Sequence, residues 1–180
     1  MGLGALNGNG LDVTQAKPAP IDDKRVDDFL LQPGDFLISR SNTLDKVGRS
    51  ALFKGQIKNC SYPDLMMRFR VDAAKIHREF LEFYLRSSEA VRHFRRCTSG
   101  TSASMVKIGK KVVEELQVPL PPLPEQTAIA DLLSTWDTAI QKTERLIAAK
   151  EKRLNALYQY YFQPNSSANG TWKSSKLGLF

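Results

Sequence analysis

The sequence predicts an α+β chain, a mixed globular head followed by one long C-terminal helix. Three observations lead there. From Leu123 to Phe162, apolar or seam-compatible residues recur at alternating spacings of four and three, with no Gly or Pro between Glu125 and Phe162. Upstream, short apolar runs follow turn signals such as Pro33-Gly34-Asp35, the pattern of buried strands. Between these lies a stretch, residues 73–94, whose apolar residues return at helical spacing.

The long helix carries a heptad repeat, with Leu133, Ile140, Ile147, Leu154 and Tyr161 at a, and Ile129, Trp136, Thr143, Lys150 and Leu157 at d. Some 37 helical residues span about 55 Å, more than a small head needs. An apolar seam of that length must be covered, and no other segment matches its length or repeat. The partner helix is therefore expected from outside the chain. The plain alternative is a long core helix packed on its own head. Two polar d positions, Thr143 and Lys150, favour a true seam, because polar seam residues select one alignment at a cost in stability.

Within the head, Phe36-Leu37-Ile38-Ser39-Arg40 leaves the Pro33–Asp35 turn as a buried strand, and Ser50-Ala51-Leu52-Phe53 returns. Met67, Phe69 and Val71 alternate with Arg68 and Arg70 as a half-buried strand. Ala73 to Phe94 reads as one amphipathic helix with Ile76, Phe80, Phe83, Tyr84 and Val91 inward, and Arg78, Glu82, Arg86 and Glu89 outward. Residues 21–31 suit a short capped helix or a turn. Residues 95–104 form a basic, hydroxyl-rich loop, and Gln163-Pro164 ends the long helix.

The chain has 180 residues, 42% of them hydrophobic, enough for one core plus an appendage. Mean hydropathy is −0.33. No apolar run nears 18 residues, the N-terminus lacks signal-peptide features, and Cys60 and Cys97 make neither a metal spacing nor a disulfide framework. A cytoplasmic setting is expected. The net charge of +7 is concentrated: residues 36–111 hold 16 basic against 6 acidic side chains. That excess suits a polyanion such as nucleic acid, although a merely solvated basic face has the same composition.

Catalytic and metal signals are weak. His77 and His93 read as surface helix residues with no further ligand in view, so no metal is expected. Gly2-Leu3-Gly4 lacks both a preceding strand and a third glycine, so it is no dinucleotide fingerprint. Ser104-Met105-Val106-Lys107 fits Ser-x-x-Lys, but the companion Ser-Asp-Asn and Lys-Thr-Gly motifs are absent. No catalytic residues and no cofactors are expected.

One resemblance sharpens the reading. Leu120-Pro121-Pro122-Leu123-Pro124-Glu125-Gln126, then Ile129-Ala130-Asp131-Leu132-Leu133-Ser134-Thr135-Trp136-Asp137 and a Lys-rich heptad helix, resembles the conserved region of type I restriction-modification specificity (S) subunits. The run from Pro33 to Asn42, Val47-Gly48-Arg49, and the stretch from Gly100 to Pro119 resemble the target recognition domain of the same family. Trp172 to Gly178 resembles the opening of a second one. The resemblance implies a DNA target recognition domain at 1–118, N-terminally incomplete, a spacer and dimerisation helix at 119–163, and at 164–180 a linker with the start of another recognition domain.

It further implies a non-catalytic DNA specificity subunit that reads half of a bipartite target. Its helix would pair antiparallel with a second such helix, set the half-site gap and dock modification (methyltransferase) subunits, with restriction subunits in the full complex; because the chain holds one such helix, a homodimer is expected. The expected DNA contacts are Arg40, Asn42, Lys46, Arg49, Arg95, Arg96, Thr101, Ser102, Ser104 and Lys107, cations and short polar groups on loops. The alternative from another class is a coiled-coil scaffold whose basic surface is incidental.

Overall fold

The computed structural model describes residues 2–8, 10–18, 27–100 and 105–162. The chain divides into two compact units, Met1–Asp131 and Leu132–Phe180.

The first unit opens with an antiparallel hairpin, β1 (Leu6–Asn7) and β2 (Gly10–Leu11), which pairs Leu6 with Leu11. A 3-10 turn at Asp27–Phe29 answers the turn expected there, and residues 21–26 lie outside the described residues. The main sheet is antiparallel, with β3 (Phe36–Ser39) between β5 (Ser50–Leu52) and β6 (Met66–Phe69). All four residues of β3 are buried. Because side chains alternate along a strand, Phe36 and Ile38 enter one core cluster and Leu37 the other. Phe36 lies opposite Phe69 in register, and their rings stack at 5.1 Å.

The chain enters β3 through a type II turn. Asp35 N donates to the Gln32 carbonyl (3.0 Å), Pro33 takes the second position, and Gly34 supplies the required positive φ of 95° at the third. The Asp35 carboxylate is buried, accepts from Gln32 N (2.8 Å), is hydrogen-bonded by Arg70 and lies 3.9 Å from Arg68. Burial alone would raise its pKa. The Arg70 and Gln32 hydrogen bonds, with the Arg70 and Arg68 charges, outweigh burial and hold it below the usual carboxylate value.

The stability this adds is complete above the unfolded carboxylate pKa, about 3.9, and is lost as pH falls through the lower folded value. Asp35→Asn is therefore expected to lower the melting temperature at pH 6, with a loss of roughly 1–3 kcal/mol. The gap to the unmodified chain should close as pH falls below the lowered carboxylate value, as calorimetry across pH would show.

The helix expected over 73–94 is two helices, α1 (Arg78–Leu85) and α2 (Ser88–Arg96). Ser87 breaks it: its hydroxyl accepts from Ala90 N (3.3 Å) and caps a new helix, with Glu89 favourable in the first turn. The reset moves the inward face. Phe80, Leu81, Leu85, Ala90 and Phe94 are buried, whereas Ile76, Phe83, Tyr84 and Val91 are only half-buried. Glu82 does not face outward. It accepts from Leu52 N (3.2 Å) on β5 and pairs with Lys54 (3.1 Å).

His93 is half-buried, and its Nε2–H donates to the Val112 carbonyl (2.8 Å) of α3 (Lys110–Glu114). His77 is the N-cap residue of α1, without a side-chain capping bond.

The long helix, α4 (Leu123–Phe162), has the predicted limits. Pro124 falls in its first turn, where a missing N–H costs nothing, and Glu125 N and Gln126 N close onto Pro122 O. Gln126 is buried. Its amide oxygen accepts from His77 N (2.8 Å), and its nitrogen donates to Lys75 O (3.1 Å) and Pro121 O (2.8 Å). Beyond Asp131 the heptad residues Leu133, Trp136, Ile140, Thr143, Ile147, Lys150, Leu154, Leu157 and Tyr161 are all exposed, with Trp136 at 64% and Ile140 and Ile147 each at 52%. Ile129 is half-buried. No helix among the described residues is long and apolar enough to cross a membrane.

Candidate nucleic-acid interface

A second, smaller ribbon gathers the cations that lie far apart in sequence. β4 (Ser41–Asn42) pairs antiparallel with β7 (Val106–Lys107), setting Ser41 opposite Lys107 and Asn42 opposite Val106. Ser99 lies on the other side of Lys107, with backbone hydrogen bonds in both directions (2.8 and 2.9 Å). The hydroxyl-rich loop thus has a pinned base. Ile108 N donates to Arg40 O (2.9 Å), which extends the ribbon to Arg40.

The turn between β4 and β5 folds back on α2. Lys46 N and Val47 N bond Thr43 O, and Gly48 N bonds Ser39 O (3.0 Å). Val47 is buried against Phe94 in the same core cluster. Gly48 has φ +77°, and a Cβ there would stand 2.6 Å from Phe94 Cβ. Gly48→Ala therefore combines left-handed strain with overpacking and is expected to destabilise the head by about 2–4 kcal/mol in denaturant unfolding. Arg95 on α2 donates to Asp45 O (3.4 Å), and Arg49 lies 3.9 Å from the Asp45 carboxylate.

Arg40, Lys46, Arg49, Arg95 and Lys107 therefore share one assembly of the ribbon, its turn and the end of α2, with Arg96 next to Arg95. Arg40, Lys46, Arg96 and Lys107 are exposed and make no ion pair with a described residue. Asn42 also holds the turn. Its side-chain oxygen accepts from Thr43 N (2.9 Å), and its amide nitrogen donates to Ser39 Oγ (3.3 Å), so it shapes the turn. Thr101, Ser102 and Ser104 lie outside the described residues.

Arg92, exposed one helical turn before Arg95 and Arg96, is a cation the sequence reading passed over. Its i, i+3, i+4 spacing to them was the available signal. A groove of about 870 Å³ opens along β6, with Met67, Phe69, Val71 and Leu116 as apolar walls and Arg40, Arg68, Arg70 and Lys110 also lining it. Among the described residues, no cluster of three or more His, Cys, Asp or Glu could hold a metal ion.

An exposed set of cations on a pinned ribbon can neutralise phosphates. The family described as "Type I restriction modification DNA specificity domain" matches residues 19–152. The chain belongs to that family. The StySPI specificity subunit of Salmonella potsdam, a type I restriction enzyme component, is 28% identical over 140 residues, covering 77% of this chain and 30% of the relative. The corresponding EcoKI subunit of Escherichia coli K12 is 30% identical over 131 residues, with 72% and 28% covered. A Methanocaldococcus jannaschii relative with the MjaX designation is 24% identical over 176 residues, with 96% and 41% covered. The chain thus spans well under half the length of these relatives.

Proposed function

We propose that the chain is a non-catalytic DNA-recognition subunit of a type I restriction-modification complex, that its head reads one half of a split target, and that it works in the cytoplasm. The observation that carries this reading is the convergence of Arg40, Lys46, Arg49, Arg95 and Lys107 on one assembly, in a chain of the DNA specificity family. Cations there position the head on phosphates, and sequence is read at base edges by side chains of the same loops. Thr101, Ser102 and Ser104 belong to that loop set in this reading.

The a/d seam of α4 pairs antiparallel with a second copy. Two-fold closure is the usual solution for one self-complementary surface. Two identical heads on a rigid rod then read an inverted repeat whose gap is fixed by rod length. Leu132, Leu146 and Tyr160, also exposed, flank the seam at the g positions and suit the docking of modification subunits, with restriction subunits joining in the full complex. The division into 1–118, 119–163 and 164–180 is part of the same proposal.

Selection of the full chain against a random duplex library tests it. An enriched inverted repeat with a fixed interruption is expected. A pool with no enrichment would favour the scaffold alternative, for which the exposed seam suffices.

A further inference from the structure

Two large apolar side chains stand among these cations. Leu44 is 42% exposed in the turn after β4, and Met105 is 53% exposed just before β7. The Asn42–Val106 pairing puts both at the same end of the ribbon. Neither belongs to either core cluster. The Ser41 hydroxyl donates to Met105 Sδ (3.2 Å), so the thioether is held over the ribbon. Lys46 follows Leu44 by two residues at that end, and Lys107, opposite Ser41, stands with Arg40 at the other end of the same short ribbon.

A protein partner's apolar surface docking here would have to cover these cations without compensating them, which is costly. A DNA duplex compensates them with phosphates. A two-stranded ribbon fits its major groove, and the apolar group presented there is the C5-methyl of thymine. Methionine suits such a contact because its unbranched, polarizable chain adapts to a small surface.

We infer that Leu44 and Met105 contact a thymine methyl in the major groove, so that each half-site contains a thymine recognised without a hydrogen bond. This rests on the reading that the head binds duplex DNA, and it adds a specificity determinant to that reading.

The test starts from a duplex selected by the full chain. Thymines are replaced by uracil one position at a time, which removes the methyl and leaves base pairing intact. Fluorescence anisotropy is expected to show a three- to fivefold loss of affinity at one or two positions and none elsewhere. In Leu44→Ala and Met105→Ala chains, both exposed sites that should leave folding intact by circular dichroism, that uracil sensitivity should vanish while the salt dependence stays unchanged.

Salt-dependent binding with no uracil effect at any position would overturn the inference and leave the DNA-binding reading standing. So would an equal loss by the variants on thymine and uracil duplexes, which would mark the side chains as wedges between base steps. Absence of any duplex binding would instead sink the DNA-binding reading, and this inference with it.

Discussion

Ile140→Glu combined with Ile147→Glu is expected to turn a dimer into a monomer at concentrations where the unmodified chain is fully paired. Both residues are at a positions and half-exposed in the single chain, so pairing removes their surface from water. Burying one isoleucine is worth about 1.5–3 kcal/mol, and a two-fold dimer contains four such side chains. The loss is then of order 6–12 kcal/mol before the cost of burying carboxylates, enough to weaken pairing by at least about 10⁴-fold. Light scattering would read the mass. Circular dichroism should also fall, because a solitary amphipathic helix owes most of its stability to packing. Gln141→Glu, an exposed residue beside the seam, is the control that should stay dimeric. A monomeric unmodified chain at tens of micromolar would remove the basis for a ruler between two heads.

The long helix is also where the sequence was most legible. A heptad is a local code: its period fixes the helix, and the absence of Gly and Pro fixes its extent, so α4 has the predicted limits. The three strands of the main sheet were also legible locally, two from apolar runs beside turn residues and the third from the alternation of Met67, Phe69 and Val71 with Arg68 and Arg70. What escaped depends on contacts distant in sequence. Glu82 follows the outward spacing of α1, yet the Leu52 N–H on the sheet edge needs an acceptor and draws it inward. Gln126 lay inside the quoted family motif, but its three hydrogen bonds to His77, Lys75 and Pro121 follow from the fold alone.

The break at Ser87 was readable in principle, because Ser87-Ser88-Glu89 is an N-terminal capping signal within an otherwise helical pattern. At the candidate interface, charge counting marked the segment whose cations the fold gathers, but it could not show that the Asn42 amide is bonded within its own turn while Arg40 beside it is exposed. The apolar Leu44 and Met105 carried no charge signal at all.

Removing Arg40, Lys46, Arg96 and Lys107 together, each to alanine, is expected to have the largest effect on DNA binding. Each cation that neutralises a phosphate releases condensed counterions, which contributes roughly 0.9 to the slope of log affinity against log salt. At 0.1 M salt that release is worth about eightfold per contact, so four contacts amount to roughly 4 × 10³-fold. The quadruple variant should therefore bind about 4 × 10³-fold more weakly at that salt, with a slope flatter by about three to four.

The exposure of these four side chains means their loss should leave the melting temperature nearly unchanged. Asn42→Ala offers the opposite pattern. Its amide is bonded to Thr43 N and Ser39 Oγ, so the variant should lose stability and leave the salt slope alone. Restored singly, Arg40 is informative. A cation that only meets phosphate recovers affinity equally on every sequence, whereas one that reaches a guanine edge recovers it mainly on the selected target. If the quadruple variant kept the slope of the unmodified chain, the ribbon and its turn would not be where this head meets DNA, whatever its family.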